Sequence, residues 1–120
     1  MSKTIYNKLV RDFIPAEIIL HGVTPKFRRV KDIDEFKAYL RRKMVEETYE
    51  FSSADTREKT LEELADILTT LHTICEVFGI SIDEITQEAN KKTMRKGGFT
   101  QGYILESVED HIVEPCTPLS

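Results

Sequence analysis

The chain has 120 residues, 40% apolar and 32% charged, which suits one domain with a core and leaves little room for a second. Lys and Arg number 17 against 21 Asp and Glu, and the formal net charge of −4 argues against a protein that mainly binds a nucleic-acid polymer. No apolar run approaches the ~20 residues of a membrane span. Residues 1–8 hold no apolar signal core, so we expect a cytoplasmic protein without a membrane partner. Cys75 and Cys116 lack the spacing of a metal clip or disulfide framework.

The N-terminal third of the chain predicts one short helix. The segment 6–19 contains Pro15, which suits a first helical turn, and we expect a helix from Pro15 to about Leu20. Weak alternation of apolar and polar residues over 26–30, and again over 103–108, predicts two short strands that pair as a small antiparallel β-ribbon.

Three longer amphipathic helices are predicted in the middle of the chain. The first covers residues 33–51 and is opened by Asp32, with a Glu three residues on. The second opens in the same way at Asp55 and ends before Gly79, and the third opens with a full capping box at Ser81. The short connections favour antiparallel neighbours, so the expected fold class is all-α, an antiparallel helical bundle.

Two pairs of carboxylates lie where the helical pattern calls for inward residues. At about 100° per residue, Glu47 falls in the middle of the apolar stripe of the first long helix, and Glu50 falls at its edge. On the next helix, Glu63 and Asp66 lie one turn apart on a side that also carries apolar residues. Buried carboxylates need compensation, and their hard oxygens suit Mg²⁺, with Mn²⁺ as the alternative.

A solvated acidic face is the other interpretation of this region. Lys43 lies one turn before Glu46 and Glu47 and could pair with either of them. Glu46, Glu58 and Glu62 fit this interpretation better than the metal site, because Glu62 in particular points to another side of its helix. The pattern alone leaves both interpretations open.

The second long helix is apolar on more than one side. One face carries Leu61, Leu64, Ala65, Leu68, Leu71 and Cys75, and behind it lie Ile67, Ile74 and Val77. A helix buried on two sides needs neighbours on two sides, and three helices in a small chain hardly supply them. We therefore expect a homo-oligomer, either a dimer or a tetramer.

The acidic residues form a spaced motif. It is E-E-x-x-E at 46–50, then twelve residues, then E-x-x-D at 63–66. This motif resembles that of the MazG-like all-α nucleoside triphosphate pyrophosphohydrolases, which include dimeric dUTPases, dCTP pyrophosphatases and phosphoribosyl-ATP pyrophosphohydrolase. The stretches 6–15 and 96–99 also resemble those of a small bacterial and phage branch. The resemblance implies a single MazG-like helical domain over residues 1–108, followed by a loosely ordered tail over 109–120.

The resemblance also implies roles for individual residues. Carried over by position, the metal ligands are Glu47, Glu50, Glu63 and Asp66. The catalytic carboxylates are Glu46, Glu47 and Glu50, with Glu46 as a group behind the ligands or as a base that orients water.

A cluster of cations near the end of the third long helix matches the family's Asn-x-Lys. The expected phosphate-binding residues are Asn90, Lys92, Arg95 and Lys96, together with Lys8 and Arg11 from the N-terminal segment. The alternative is that such cations only complement the helix C-terminal dipole. At two positions the chain departs from the residues that this branch often has, with Phe13 in place of Lys and Lys96 in place of Arg. Both changes affect the predicted substrate contacts.

The expected activity is Mg²⁺-dependent hydrolysis of a nucleoside triphosphate, of the non-standard kind that housecleaning enzymes remove, to the monophosphate and pyrophosphate. One alternative is phosphoribosyl-ATP pyrophosphohydrolase of histidine biosynthesis, which would use the same metal site. Another is a non-catalytic helical oligomerisation or regulatory module, which we would expect to have lost some of the four ligands. The base and sugar preferences are left open.

Overall fold

The computed structural model describes residues 2–109, and in that range the chain forms four α-helices. They are α1 (Ile14–Leu20), α2 (Ile33–Ser52), α3 (Arg57–Phe78) and α4 (Ile82–Lys96). The predicted all-α class is confirmed. The chain divides into two compact units, Met1–Gln87 and Glu88–Ser120. The single domain over 1–108 stays a prediction, and the tail predicted at 109–120 lies outside the described residues except for its first.

Local side chains fix where α2 and α3 begin. Asp32 caps α2, and its Oδ1 accepts a hydrogen bond of 2.8 Å from the backbone N–H of Glu35, as the sequence predicts. The cap of α3 is Thr56, whose Oγ1 accepts from the N–H of Lys59 at 3.1 Å. The predicted Asp55 cap is therefore wrong by one residue. The N–H of Lys59 is satisfied by the side chain three positions before it, which is Thr56.

The ends of α3 and α4 also follow the predicted signals. Gly79 ends α3 in the left-handed region at φ 69°, which a residue without Cβ adopts at little cost. At the start of α4, Ser81 Oγ accepts from the N–H of Glu84 at 3.0 Å. Glu84 Oε2 in turn accepts from the N–H of Ser81 at 2.8 Å, which completes the capping box.

Helices α2 and α3 pack together as an antiparallel hairpin joined by residues 53–56. The direction follows from contacts at the open end, where Lys37 Nζ near the start of α2 lies 5.1 Å from the ring centroid of Phe78 at the end of α3. Leu40, which is 1% exposed, and Cys75 are the buried apolar residues in the part of the chain described. The hairpin thus holds the core of the first unit and brings the acidic ends of the two helices together at its closed end.

The predicted β-ribbon is wrong. Neither 26–30 nor 103–108 forms a strand, and residues 2–109 contain none. Arg28 instead makes a two-point contact with Glu35 of α2, Nη1 to Oε1 at 2.7 Å and Nη2 to Oε2 at 3.1 Å. A two-stranded ribbon is marginal in water by itself, so weak alternation is not enough to form one here.

One apolar face of α3 is exposed within the described residues 2–109. Leu61, Leu64 and Leu68, which we call the leucine stripe, are 65%, 46% and 52% exposed. Their spacing places them on one side of the helix. An exposed stripe of this kind on a helix is typical of a contact with another protein surface. Taken one at a time, the helices of residues 2–109 include none that is long and apolar enough to cross a membrane.

Candidate metal and substrate site

Three carboxylates meet near the closed end of the hairpin. Glu47 of α2 and both Glu63 and Asp66 of α3 each offer an oxygen that lies within 4.8 Å of the other two. Glu47 is 7% exposed, and the other two side chains are half-buried. The helical pattern predicts that Glu47 points inward, and in the hairpin its carboxylate lies next to those of α3. We refer to Glu47, Glu63 and Asp66 as the acidic trio.

Glu50, the fourth predicted ligand, does not belong to this trio. It is exposed and lines a pocket at the α2–α3 turn. The other residues of that pocket are Ser53, Ala54, Lys59, Glu62 and Glu63. Glu50 nevertheless contributes to the electrostatics of the trio, because its charge is one of those that act on Glu63. The structure thus gathers three of the four predicted ligands and sets the fourth beside them.

Excess negative charge at the site acts on Glu63. Partial burial raises the pKa of Glu63 above its usual value, and the negative charges of Asp66, Glu47, Glu50 and Glu62 raise it further. The cations that pair with the rest of the trio are Lys43, on Glu47, and Arg11, on Asp66, and neither of them forms an ion pair with Glu63. Three carboxylates that are paired with only these two cations are a donor set that fits a hard divalent cation.

Lys43 offsets part of the charge on α2. Its Nζ lies 3.3 Å from Oε1 of Glu47 and 3.4 Å from Oε2 of Glu46. The pairing considered in the sequence therefore occurs with both carboxylates. Glu46 lies outside the trio and is held by ion pairs, whereas Glu47 is buried within the trio.

The N-terminal segment supplies two further cations to the same region. Lys8 Nζ lies 3.3 Å from Oε1 of Glu46. Arg11 Nη2 lies 2.5 Å from Oδ1 of Asp66 and donates to Thr69 Oγ1 at 3.4 Å. The structure thus places both cations on carboxylates, and the phosphate role predicted for them stays a prediction. Sequence reasoning missed Thr69, because a hydroxyl one turn after Asp66 carries no signal by itself.

The other predicted phosphate-binding residues belong to the second unit. They are Asn90, Lys92, Arg95 and Lys96, all on the surface of α4. Arg95 and Lys96 lie in the last turn of the helix, where a cation also complements the helix dipole. Their role in phosphate binding stays a prediction.

Comparison with known proteins adds one family and one relative. The profile of the MazG-like family matches residues 26–110, a range that contains the acidic trio and excludes Lys8 and Arg11. A protein of Mycolicibacterium smegmatis described as uncharacterized is 47% identical over 55 residues, or 46% of this chain and 55% of the relative. The chain therefore spans about half the length of that relative. No solved structure matches the chain.

Proposed function

The chain belongs to the MazG-like family, and from this we propose that it is a metal-dependent nucleotide pyrophosphohydrolase. The observation that carries the proposal is the acidic trio, in which two successive helices direct three carboxylates to one point. We assign as substrate a nucleoside triphosphate, of the non-standard kind that housecleaning enzymes remove. The products are the nucleoside monophosphate and pyrophosphate.

The trio suits Mg²⁺, with Mn²⁺ as the alternative. Glu47, Glu63 and Asp66 would hold the ion, and Glu50 is close enough to influence Glu63. When bound, such an ion neutralises charge on the phosphates and stabilises the charge that develops in the transition state. The raised pKa of Glu63 supports this assignment, because partial burial and then the charges of Asp66 and Glu47 disfavour its ionised form, which a bound cation would stabilise.

The chain's own residues then account for the remaining chemistry. Glu46 is held between Lys8 and Lys43, which fixes its carboxylate beside the trio. We assign Glu46 to orient the attacking water and accept its proton. The water oxygen forms a bond to the α-phosphorus on the side opposite the oxygen that bridges the α- and β-phosphates. The bond from the α-phosphorus to that bridging oxygen breaks, and the oxygen leaves as part of pyrophosphate. Asn90, Lys92, Arg95 and Lys96 are proposed to bind the phosphates, where Arg offers a two-point contact and Lys a point charge.

Self-association forms part of the same proposal. The leucine stripe on α3 offers an apolar surface to a second copy of the chain, and its helix also carries Glu63 and Asp66. A contact there would place the acidic trio close to a subunit interface. Burial of the stripe would also add to the small core within one chain.

The test is pyrophosphate release from a panel of ordinary and modified nucleoside triphosphates, with phosphoribosyl-ATP included, in the presence and absence of Mg²⁺. Release from a few triphosphates, and only with metal, is the expected result. Release from phosphoribosyl-ATP alone would assign the histidine-biosynthesis reaction instead. If folded protein that binds Mn²⁺ releases nothing from the panel, the proposed activity is wrong and the chain is a binding module.

A further inference from the structure

The N-terminal segment before α1 is placed against the acidic region by two ion pairs, Lys8 with Glu46 and Arg11 with Asp66. Residues 2–8 are exposed, and Leu9 and Val10 are half-buried. Asn7 adopts φ 46°, a left-handed conformation that Asn tolerates better than most residues. The segment forms no helix or strand between residues 2 and 11. A segment held in this way is of the low-stability kind that can detach without unfolding the rest of the protein.

Two members of the trio, Glu47 and Asp66, are paired with cations that come from different parts of the chain. Glu47 is paired with Lys43, one turn earlier on the same helix, so that cation is fixed by the helix itself. Asp66 is paired with Arg11, which lies 55 residues away on the N-terminal segment. Its cation is thus carried by the N-terminal segment, which is also attached through the Lys8–Glu46 ion pair and the half-buried Leu9 and Val10.

A cation already occupies one oxygen of the Asp66 carboxylate, a member of the trio on which the proposed metal depends. The guanidinium of Arg11 is bound at 2.5 Å to Oδ1 and is held further by Thr69. A divalent ion on Asp66 would stand beside that guanidinium, and like charges at short range repel strongly where water is partly excluded. Half of the Arg11 side chain is exposed, so solvent can take over its hydration when it leaves.

We propose that Arg11 and the metal compete for Asp66, so that metal binding releases the N-terminal segment and frees Arg11 to bind the substrate phosphates. This inference rests on the proposed function, since it concerns the same metal site. In the metal-free protein, Arg11 acts as a substitute cation that holds the segment over the trio. After exchange, its whole planar group is available to offer phosphate a two-point contact.

The first test measures Mn²⁺ affinity by calorimetry or electron paramagnetic resonance on the full chain, without nucleotide. Arg11→Ala should bind Mn²⁺ at least about fivefold more tightly than the wild type, the lower end of ordinary coupling between two sites. The matched control is Lys3→Ala, which removes one positive charge from the same segment at a residue outside these ion pairs. It should match the wild type within about twofold.

The second test separates exchange from a simple change in local charge. Hydrogen–deuterium exchange of the peptide that covers residues 2–13 should become faster when Mn²⁺ is added to the wild type. It should slow again when a non-hydrolysable triphosphate is added as well. In Arg11→Ala the exchange should already be fast without metal, and Mn²⁺ should not change it.

Three results would overturn the inference, and they can be told apart. Weaker Mn²⁺ binding by Arg11→Ala would make Arg11 a positioning residue that holds Asp66 for the metal. Equal affinities, or exchange in the wild type that Mn²⁺ leaves unchanged, would show that the segment does not respond to the ion. Failure of both the wild type and Arg11→Ala to bind Mn²⁺ would remove the proposed metal site, and the inference with it.

Discussion

The ammonium nitrogen of Lys43 lies 3.3 Å from Oε1 of Glu47, a residue that is 7% exposed. The two residues are four positions apart on α2, so the helix holds them in contact. This pair explains how a carboxylate can occupy the inward stripe of a helix before any metal is bound. One oxygen of the carboxylate is paired with Lys43, and an oxygen of the same group lies within 4.8 Å of those of Glu63 and Asp66.

Glu47→Gln is expected to remove metal binding and activity while the fold is kept. The amide has the same shape but lacks the charge that the metal needs, and it still accepts a hydrogen bond from Lys43. Loss of a residue that hydrogen-bonds to a metal ligand costs about 10- to 100-fold in metal affinity or activity. Loss of a ligand itself should therefore cost more than about 100-fold. Metal-dependent pyrophosphate release and Mn²⁺ affinity measure the effect.

The control for Glu47→Gln is Glu76→Gln, an exposed change of the same chemistry near the far end of α3. It should leave both quantities within about twofold of the wild type, since a surface charge far from the site has little effect. Wild-type turnover by a folded Glu47→Gln protein would show that the trio is not the metal site.

Glu63→Gln is expected to stabilise the metal-free protein, and to do so more as the pH rises. The pKa of Glu63 is raised in the folded protein by partial burial and by the charges of Asp66 and Glu47. Between the unfolded value near 4.5 and the raised folded value, the folded state binds more protons, so stability falls with increasing pH. The glutamine variant has no such loss.

The measurement is the Tm of the wild type and of Glu63→Gln in chelator between pH 4 and pH 8. The two values should be similar at the acid end, and the variant should exceed the wild type increasingly above about pH 4.5. Asp66→Asn serves as the contrast, because it leaves Arg11 without its partner carboxylate and should not stabilise. A constant difference between wild type and Glu63→Gln across the range would contradict the assigned electrostatics.

The features that sequence predicted well are the ones that depend on near neighbours. The caps at Asp32 and Ser81 and the end at Gly79 involve residues within a few positions of each other. The inward position of Glu47 follows from the period of the helix alone. The trio could be anticipated for the same reason, since a short turn between two helices leaves few ways for their faces to meet.

The features that sequence missed depend on contacts between distant segments. No local sequence pattern predicts the contact between Arg11 and Asp66. The two residues are 55 positions apart, and the chain between them includes segments without helix or strand. The ribbon failed because alternation over 26–30 was weak, and Arg28 found a partner in Glu35 instead. Glu50 was placed at the edge of the stripe, and a small rotation of that edge leaves it exposed.

Arg28→Ala is expected to destabilise the protein at neutral pH and to have no such effect in strong acid. The hydrogen bond from Arg28 is the main cause that lowers the pKa of Glu35 from 4.5 to about 2, with the backbone N–H of Lys31 adding to it. A lowered carboxylate pKa contributes stability that is complete above about pH 4.5 and is lost as the pH falls through about 2. The pair also ties the segment before α2 to that helix.

The difference in Tm between wild type and Arg28→Ala should therefore be largest near pH 7, shrink below pH 4.5 and approach zero near pH 2. Arg29→Ala removes the same charge from the next residue, whose guanidinium is not part of the pair, and should show a much smaller difference. A difference that persists unchanged at pH 2 would mean that Arg28 stabilises by packing and not by its ion pair with Glu35.

Leu68→Gln is expected to weaken the proposed self-association of the chain without unfolding it. Leu68 is 52% exposed on the leucine stripe, so a polar side chain there costs the isolated chain little. Burial of one leucine at a contact contributes about 1.5–3 kcal/mol, and every protomer of a homo-oligomer carries the change. The dissociation constant should therefore rise by at least about tenfold.

Light scattering across a dilution series measures the dissociation constant. The control is Leu20→Gln, because Leu20 is 84% exposed on α1 and is not part of the stripe. A wild type that stays monomeric at high concentration would refute the proposed interface, and an unchanged dissociation constant for Leu68→Gln would place the contact on another face.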